Sequence, residues 1–150
     1  MNQKDIHKLK TIYTTILESK KDSGPPYIRI NSQGDKFYYK DKKRTILYRE
    51  DGPAVEYHNG GKAWYINGKY HRTDGPAIES PYGYKAWYID DKRHRLDGPA
   101  IERTFGINEW YINGVELTEE EFNAYLANKK YKQDMQDIGE EPVTNFSAFE

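Results

Sequence analysis

Residues 62–83 read "KAWYINGKYHRTDGPAIESPYG", and residues 85–106 read "KAWYIDDKRHRLDGPAIERTFG". The second stretch is the first displaced by 23 residues. That is about the length of two short strands and their turns, so each copy reads as one supersecondary unit unable to bury its apolar face alone. Two independent markers hold the register: Trp64, Trp87 and Trp110 recur at this interval, and so do Asp51, Asp74 and Asp97, each opening "DGPA". With Gly52, Gly75 and Gly98, these residues are assigned to the structural repeat.

Within a unit, Asn67-Gly68 and Asn113-Gly114 lie between apolar-aromatic runs, a hairpin signal because a type I′ turn needs positive φ at both central residues. Asp90-Asp91 occupies the same place with less tolerant residues. A two-residue loop at Asn67-Gly68 sets Tyr65 opposite Tyr70, Trp64 opposite His71 and Ala63 opposite Arg72. Alternation then predicts Trp64, Ile66 and His71 on an apolar face, with Tyr65, Tyr70 and Arg72 on an aromatic-basic one. In the next unit Trp87, Ile89 and His94 oppose Tyr88, Arg93 and Arg95. At "DGPA", Asp is expected to accept a backbone N–H two residues on, Gly to take positive φ and Pro to end the turn.

Outward from these two copies the pattern degenerates. "KFYYKDKKRTILYREDGPA" aligns with Tyr38 at the Trp position and three extra residues near Arg44 to Ile46. Ahead of it, "YIRI" and "KFYY" flank the turn "NSQGD". The last copy, "NEWYINGVELTEEEF", passes into a helix, with Thr118 and Glu121 at capping-box spacing and Phe122, Tyr125 and Leu126 facing the last hairpin. Near the N-terminus, Ile6, Leu9, Ile12, Tyr13, Ile16 and Leu17 recur at helical spacing until "SGPP", and this stripe is expected to cover the Trp face.

The expected class is α+β: a repeat-built, twisted antiparallel sheet of 23-residue hairpin units with an N-terminal amphipathic helix and a C-terminal capping helix. One domain spans 1–150, divided into a helix at 1–23, hairpin repeats at 27–117, a helix at 118–134 and an acidic tail at 135–150. The chain has no cysteine, which removes disulfides, thiolate nucleophiles and Cys-ligated metal. The first twenty residues carry charges throughout, so neither export nor membrane insertion is expected and the cytoplasm is the expected location. A net charge of −1 without a clustered basic face argues against a nucleic-acid duplex as partner.

The hairpin with its Trp-Tyr pair and turn, "WYING", resembles MORN-like repeats and their variants. The fuller pattern, "WYINGKYHRTDGPAIE" together with the closing "WYINGVELTEEEF", is similar to repeats in proteins of tailed phages and giant viruses. The resemblance covers roughly residues 36–122. It implies an interaction surface and carries over no catalytic residues; an ordinary MORN unit's glycine spacing is only partly present, so lipid binding is not carried over. On this resemblance the chain is expected to be a phage accessory factor that binds and inhibits a host protein in the host cytoplasm.

His71/Arg72/Asp74 and His94/Arg95/Asp97 contain a base, an anion clamp and a carboxylate. An active site needs one asymmetric constellation, and equivalent copies without a Ser or Cys nucleophile at fixed offset argue for structure instead. No catalytic residue and no cofactor is expected. His58, His71 and His94 lack the close spacing of metal ligands, so no metal is expected either. The candidate partner-binding residues are Tyr65, Tyr88 and Tyr111 with Arg72, Arg93 and Arg95, rings and guanidinium groups that suit a protein partner. A small anion or nucleotide on the same Tyr/Arg ladder is the alternative ligand. The plain alternative is a solvated sheet face on which Arg49, Arg72 and Arg95 pair with Glu56, Glu79 and Glu102.

Overall fold

Six short runs each supply one charged and one apolar residue, and their alternation builds the main sheet. The computed structural model describes residues 26–141. The strands are β1 (Tyr27–Ile30), β2 (Lys36–Tyr39), β3 (Val55–Glu56), β4 (Lys62–Ala63), β5 (Tyr65–Ile66), β6 (Lys69–Tyr70) and β7 (Ile78–Glu79). They continue as β8 (Lys85–Ala86), β9 (Tyr88–Ile89), β10 (Lys92–Arg93), β11 (Ile101–Glu102), β12 (Trp110–Ile112) and β13 (Val115–Leu117), followed by α1 (Glu119–Asp137). Hairpin strands with one C-terminal helix make the described part α+β. The expected helix at 1–23 and the tail from residue 142 onward lie outside the described residues.

Seven strands form one antiparallel sheet in the order β1-β2-β3-β4-β7-β8-β11. Across it Lys36, Glu56, Lys62, Glu79, Lys85 and Glu102 are successive partners, so opposite charges alternate along one face. The other face carries Phe37, Val55, Ala63, Ile78, Ala86 and Ile101 in the same register. Here small and large residues alternate, which lets a second layer settle close to the sheet.

That second layer is the row of turn hairpins. β5–β6, β9–β10 and β12–β13 are separate two-stranded ribbons rather than members of the long sheet. The chain leaves the sheet at each Trp: the Trp64 and Trp87 N–H groups donate to the Ala77 and Ala100 carbonyls at 2.8 Å. Neighbouring ribbons join through backbone bonds. Arg72 N–H donates to Tyr88 O at 3.1 Å and Asp91 N–H to Tyr70 O at 3.0 Å; Arg95 to Tyr111 and Gly114 to Arg93 repeat the pattern at 3.2 and 2.9 Å. The expectation of a single sheet of successive hairpins is thus corrected, because the bend at Trp divides each copy between two rows.

The turn register is the one alternation predicts, with Tyr65 opposite Tyr70 and Ile66 opposite Lys69. Asn67 and Gly68 both have positive φ, at 50° and 79°. Asp90 and Asp91 accept the same strain at 49° and 65°. Their carboxylates have other duties: Asp91 accepts the Tyr70 N–H at 2.8 Å, and Asp90 lies 2.9 Å from His71 Nδ1, both on the preceding ribbon. The extra residues of the first copy close a local loop, where Asp41 accepts the N–H groups of Thr45 and Ile46 at 3.0 and 2.8 Å.

Buried Ala86, Ala100, Ile101 and Tyr111 form the core cluster, with Ile78, Tyr84 and Tyr88 against it. Helix α1 opens with the expected capping box, Thr118 receiving the Glu121 N–H and Glu121 receiving the Thr118 N–H. It buries Phe122 and contacts β12 and β13. The helix runs past the expected end at 134 to Asp137, because Met135 and Gln136 are good helix formers and Gly139, at φ 75°, is the first residue suited to a left-handed stop.

Candidate functional site

Each "DGPA" corner is organised by the arginine two residues before its Asp. Arg72 Nε donates to Asp74 at 2.9 Å, and Arg72 Nη1 donates to the Pro76 carbonyl at 3.1 Å and to Glu79 at 2.8 Å. Arg95 does the same with Asp97, Pro99 and Glu102 at 2.7, 3.1 and 2.5 Å, and Arg49 with Asp51, Pro53 and Glu56 at 2.9, 3.4 and 2.8 Å. Each guanidinium also lies over a ring, Arg72 on Trp64 at 3.9 Å, Arg95 on Trp87 at 3.8 Å and Arg49 on Tyr38 at 4.2 Å.

This geometry corrects three expectations. Arg72 and Arg95 were expected on the face away from the tryptophans, yet they stack on them, since β6 and β10 end at Tyr70 and Arg93 and alternation stops there. Asp51, Asp74 and Asp97 accept from arginine side chains, because the residues two on, Pro53, Pro76 and Pro99, have no N–H to donate, and the arginine bond holds each carboxyl below the usual carboxylate range. Gly52, Gly75 and Gly98 do not have positive φ. Glycine is needed for space, because a Cβ on Gly75 would stand 2.9 Å from Arg72 Cζ, and on Gly52 or Gly98 3.1 Å from the equivalent atom.

The histidines join other elements. His71 meets Asp90, and His94 Nδ1 accepts the Asn113 N–H at 3.0 Å, which requires Nδ1 to be the unprotonated ring nitrogen. His58 meets buried Asp35 at 2.8 Å. Each His-Arg-x-Asp set is therefore divided: His to the next ribbon, Arg to the ring, Asp to Arg. Among the described residues no group of His, Asp and Glu could hold a metal ion.

The tyrosine face is the inner one. Tyr111 is only 7% exposed and Tyr88 is half-buried against the core cluster. Tyr65, Tyr70 and Tyr88 stand in sequence with ring centroids 4.3 and 5.3 Å apart. Arg93, one period after Tyr70, continues the row by donating to the hydroxyls of Tyr88 and Tyr111 at 3.3 and 3.0 Å. Burial, followed by the Tyr70 hydroxyl, raises the Tyr65 pKa. Tyr111 and Arg93 thus sit where a ladder exposed to a partner was expected, and the reason is that hairpins folded onto the sheet need rings to fill the gap between layers.

Among the described residues, a groove of about 560 Å³ lies between the first two corners. Trp64, Ile66 and His71 line it from the face that alternation assigned them, with Glu50, Asp51, Thr73 and Asp74 at its mouth beside Arg49 and Arg72. The Asp51, Asp74 and Asp97 side chains are 79–83% exposed, whereas the arginines behind them are 17–21% exposed. At each corner one guanidinium is held by two carboxylates, the Glu facing the lysines of the sheet and the Asp presented outward. Glu50 and Thr73 escaped the sequence reading; the signal that could have found them is the spacing Arg, Asp two on and Glu seven on, which fixes the corner around the arginine. No family model, curated protein or solved structure matches this chain.

Proposed function

We propose that this chain is a non-enzymatic protein-interaction module that docks its partner along the corner row. The groove floored by Trp64 and rimmed by Asp51 and Asp74 carries this reading, because it joins an aromatic wall to exposed charge. Division of the His-Arg-x-Asp sets among separate structural contacts supports binding over catalysis. The outward carboxylates favour a partner bearing cationic side chains over a small anion or nucleotide, which would have to compete for an arginine already shared by two carboxylates. Resemblance to MORN-like repeats supports the setting: 23-residue units in a viral accessory factor that inhibits a host protein in the cytoplasm, without a cofactor. No helix among the described residues is long and apolar enough to cross a membrane.

The test is affinity capture from host cytosol with the native chain and with Thr73→Arg, which fills the groove from an exposed position. The partner is expected with the native chain and absent with the variant. Capture of the same proteins by Thr73→Arg removes the groove from the reading. A rise in melting temperature with phosphate or nucleotide, abolished in Arg72→Gln, would favour the anion alternative.

A further inference from the structure

We infer that the corner row takes a polyproline-II segment of the partner carrying a lysine or arginine at every third residue. This rests on the docking reading above and names its ligand. Asp51, Asp74 and Asp97 stand four residues before the first residues of β3, β7 and β11. Those three strands are separated by β4 and by β8 in the sheet order, so they lie two strand spacings apart. At about 4.8 Å per spacing, the carboxylates repeat every ~9.6 Å across the sheet. The aromatic residues behind them, Tyr38, Trp64 and Trp87, keep the same order beneath their arginines.

Few backbone conformations match that step. A polyproline-II helix advances about 3.1 Å per residue with three residues per turn, so every third side chain returns to one side after ~9.3 Å. An extended strand covers about 9.9 Å in three residues, but its side chains alternate, and every third one points to opposite faces. An α-helix returns to the same side after seven residues and about 10.5 Å, drifting by nearly 2 Å over two steps. The left-handed, three-residue helix alone keeps successive charges in register with the row. Its intervening proline rings meet Trp64 in the groove, and it reaches the site already ordered, which lowers the entropic cost of binding.

Charge sets the sign of the ligand's every-third residue. Each rung exposes a carboxylate whose neutralising guanidinium lies behind it, and Glu50 adds another at the groove mouth. Cationic side chains meet these carboxylates at the rim, where such pairs act mainly through orientation and encounter.

The probe is a synthetic peptide of four Lys-Pro-Pro repeats, titrated against the full chain at low and physiological salt. Two controls accompany it: a peptide of the same composition with all four lysines adjacent, and four Glu-Pro-Pro repeats. The in-register lysine peptide is expected to bind, the clustered one to bind at least about threefold more weakly, and the acidic one not at all. Thr73→Arg and Asp74→Asn, each checked for native circular dichroism, are expected to weaken the in-register peptide and reduce its advantage. Equal affinity for both lysine peptides overturns the inference, since charge without register would then suffice. Absence of binding by any peptide also overturns it; if Thr73→Arg still abolishes partner capture, the groove reading survives with a ligand of another conformation.

Discussion

Trp87 and Tyr88 are neighbours in sequence and lie on opposite sides of the hairpin row. The Trp87 ring is half-buried and covered by Arg95, whereas Tyr88 packs against the cluster of Ala86, Ala100, Ile101 and Tyr111. The outer side is held by a charged network, the inner one by rings against small residues. Period-2 reasoning separates the two sides correctly, and among the described residues the core cluster takes its ring, Tyr111, from the Tyr side. A guanidinium closes over the Trp ring, and a Tyr hydroxyl is satisfied inside by Arg93.

The comparison breaks most visibly at the sheet itself. Ile101 is fully buried at the centre of the inner cluster, so Ile101→Ala is expected to cost about 2–5 kcal/mol in urea unfolding. A cost near that of an exposed position would mean the inner side is not the core.

Next in size are the two neighbours. Trp87→Ala and Tyr88→Ala should each cost roughly 2–4 kcal/mol, the usual aromatic truncation reduced for half-buried sites. Only Trp87→Ala should release Arg95, so Arg95→Gln is expected to be non-additive with Trp87→Ala and additive with Tyr88→Ala. The opposite pattern in a double-mutant cycle would invert the assignment of sides.

Gly75→Val probes the corner alone. Its Cβ must displace the Arg72 guanidinium from Trp64, an overpacking expected to cost about 1–3 kcal/mol. In an Arg72→Ala background the obstruction is gone, and the same substitution should cost much less. An unchanged cost would point to backbone strain, although Gly75 lies outside the left-handed region.

The smallest effect is the pH dependence. Asp51, Asp74 and Asp97 are held below the ordinary carboxylate value by their arginines, and Asp35 by the His58 N–H, the His58 ring and Asn31. A folded pKa below the unfolded one means stability that is complete above about pH 4 and lost as pH falls through the folded values. Urea midpoints should therefore drop between pH 6 and pH 3. The triple variant Asp51→Asn, Asp74→Asn, Asp97→Asn should show a smaller drop, and an equal one would detach the corners from acid stability.

The candidate site was legible in part. Trp64, Ile66 and His71 share a face by hairpin register, a local property that strand alternation carries without help. Arg72 and Asp74 drew attention as possible chemistry, and their pairing with Glu79 was visible as the plain alternative. The groove was not, because it lies between two units and depends on where consecutive corners stand. The hydrogen bonds of the Asp90-Asp91 turn were equally hidden, since their partners belong to the preceding ribbon.

From sequence alone come the 23-residue period, the positive-φ turns, the Tyr65–Tyr70 register and the capping box of α1, all set by sterics and hydrogen bonds within a few residues. Only the tertiary structure decided that each unit splits at its Trp into a sheet half and a ribbon half. It also decided that tyrosines fill the interior and that the corner glycines make room for arginine. The physical reason is that two-residue strands carry too little alternation to choose a side, so the choice falls to packing between layers. There the small alanines of the sheet admit the Tyr rings, while Arg, held by its two carboxylates and a carbonyl, closes over Trp.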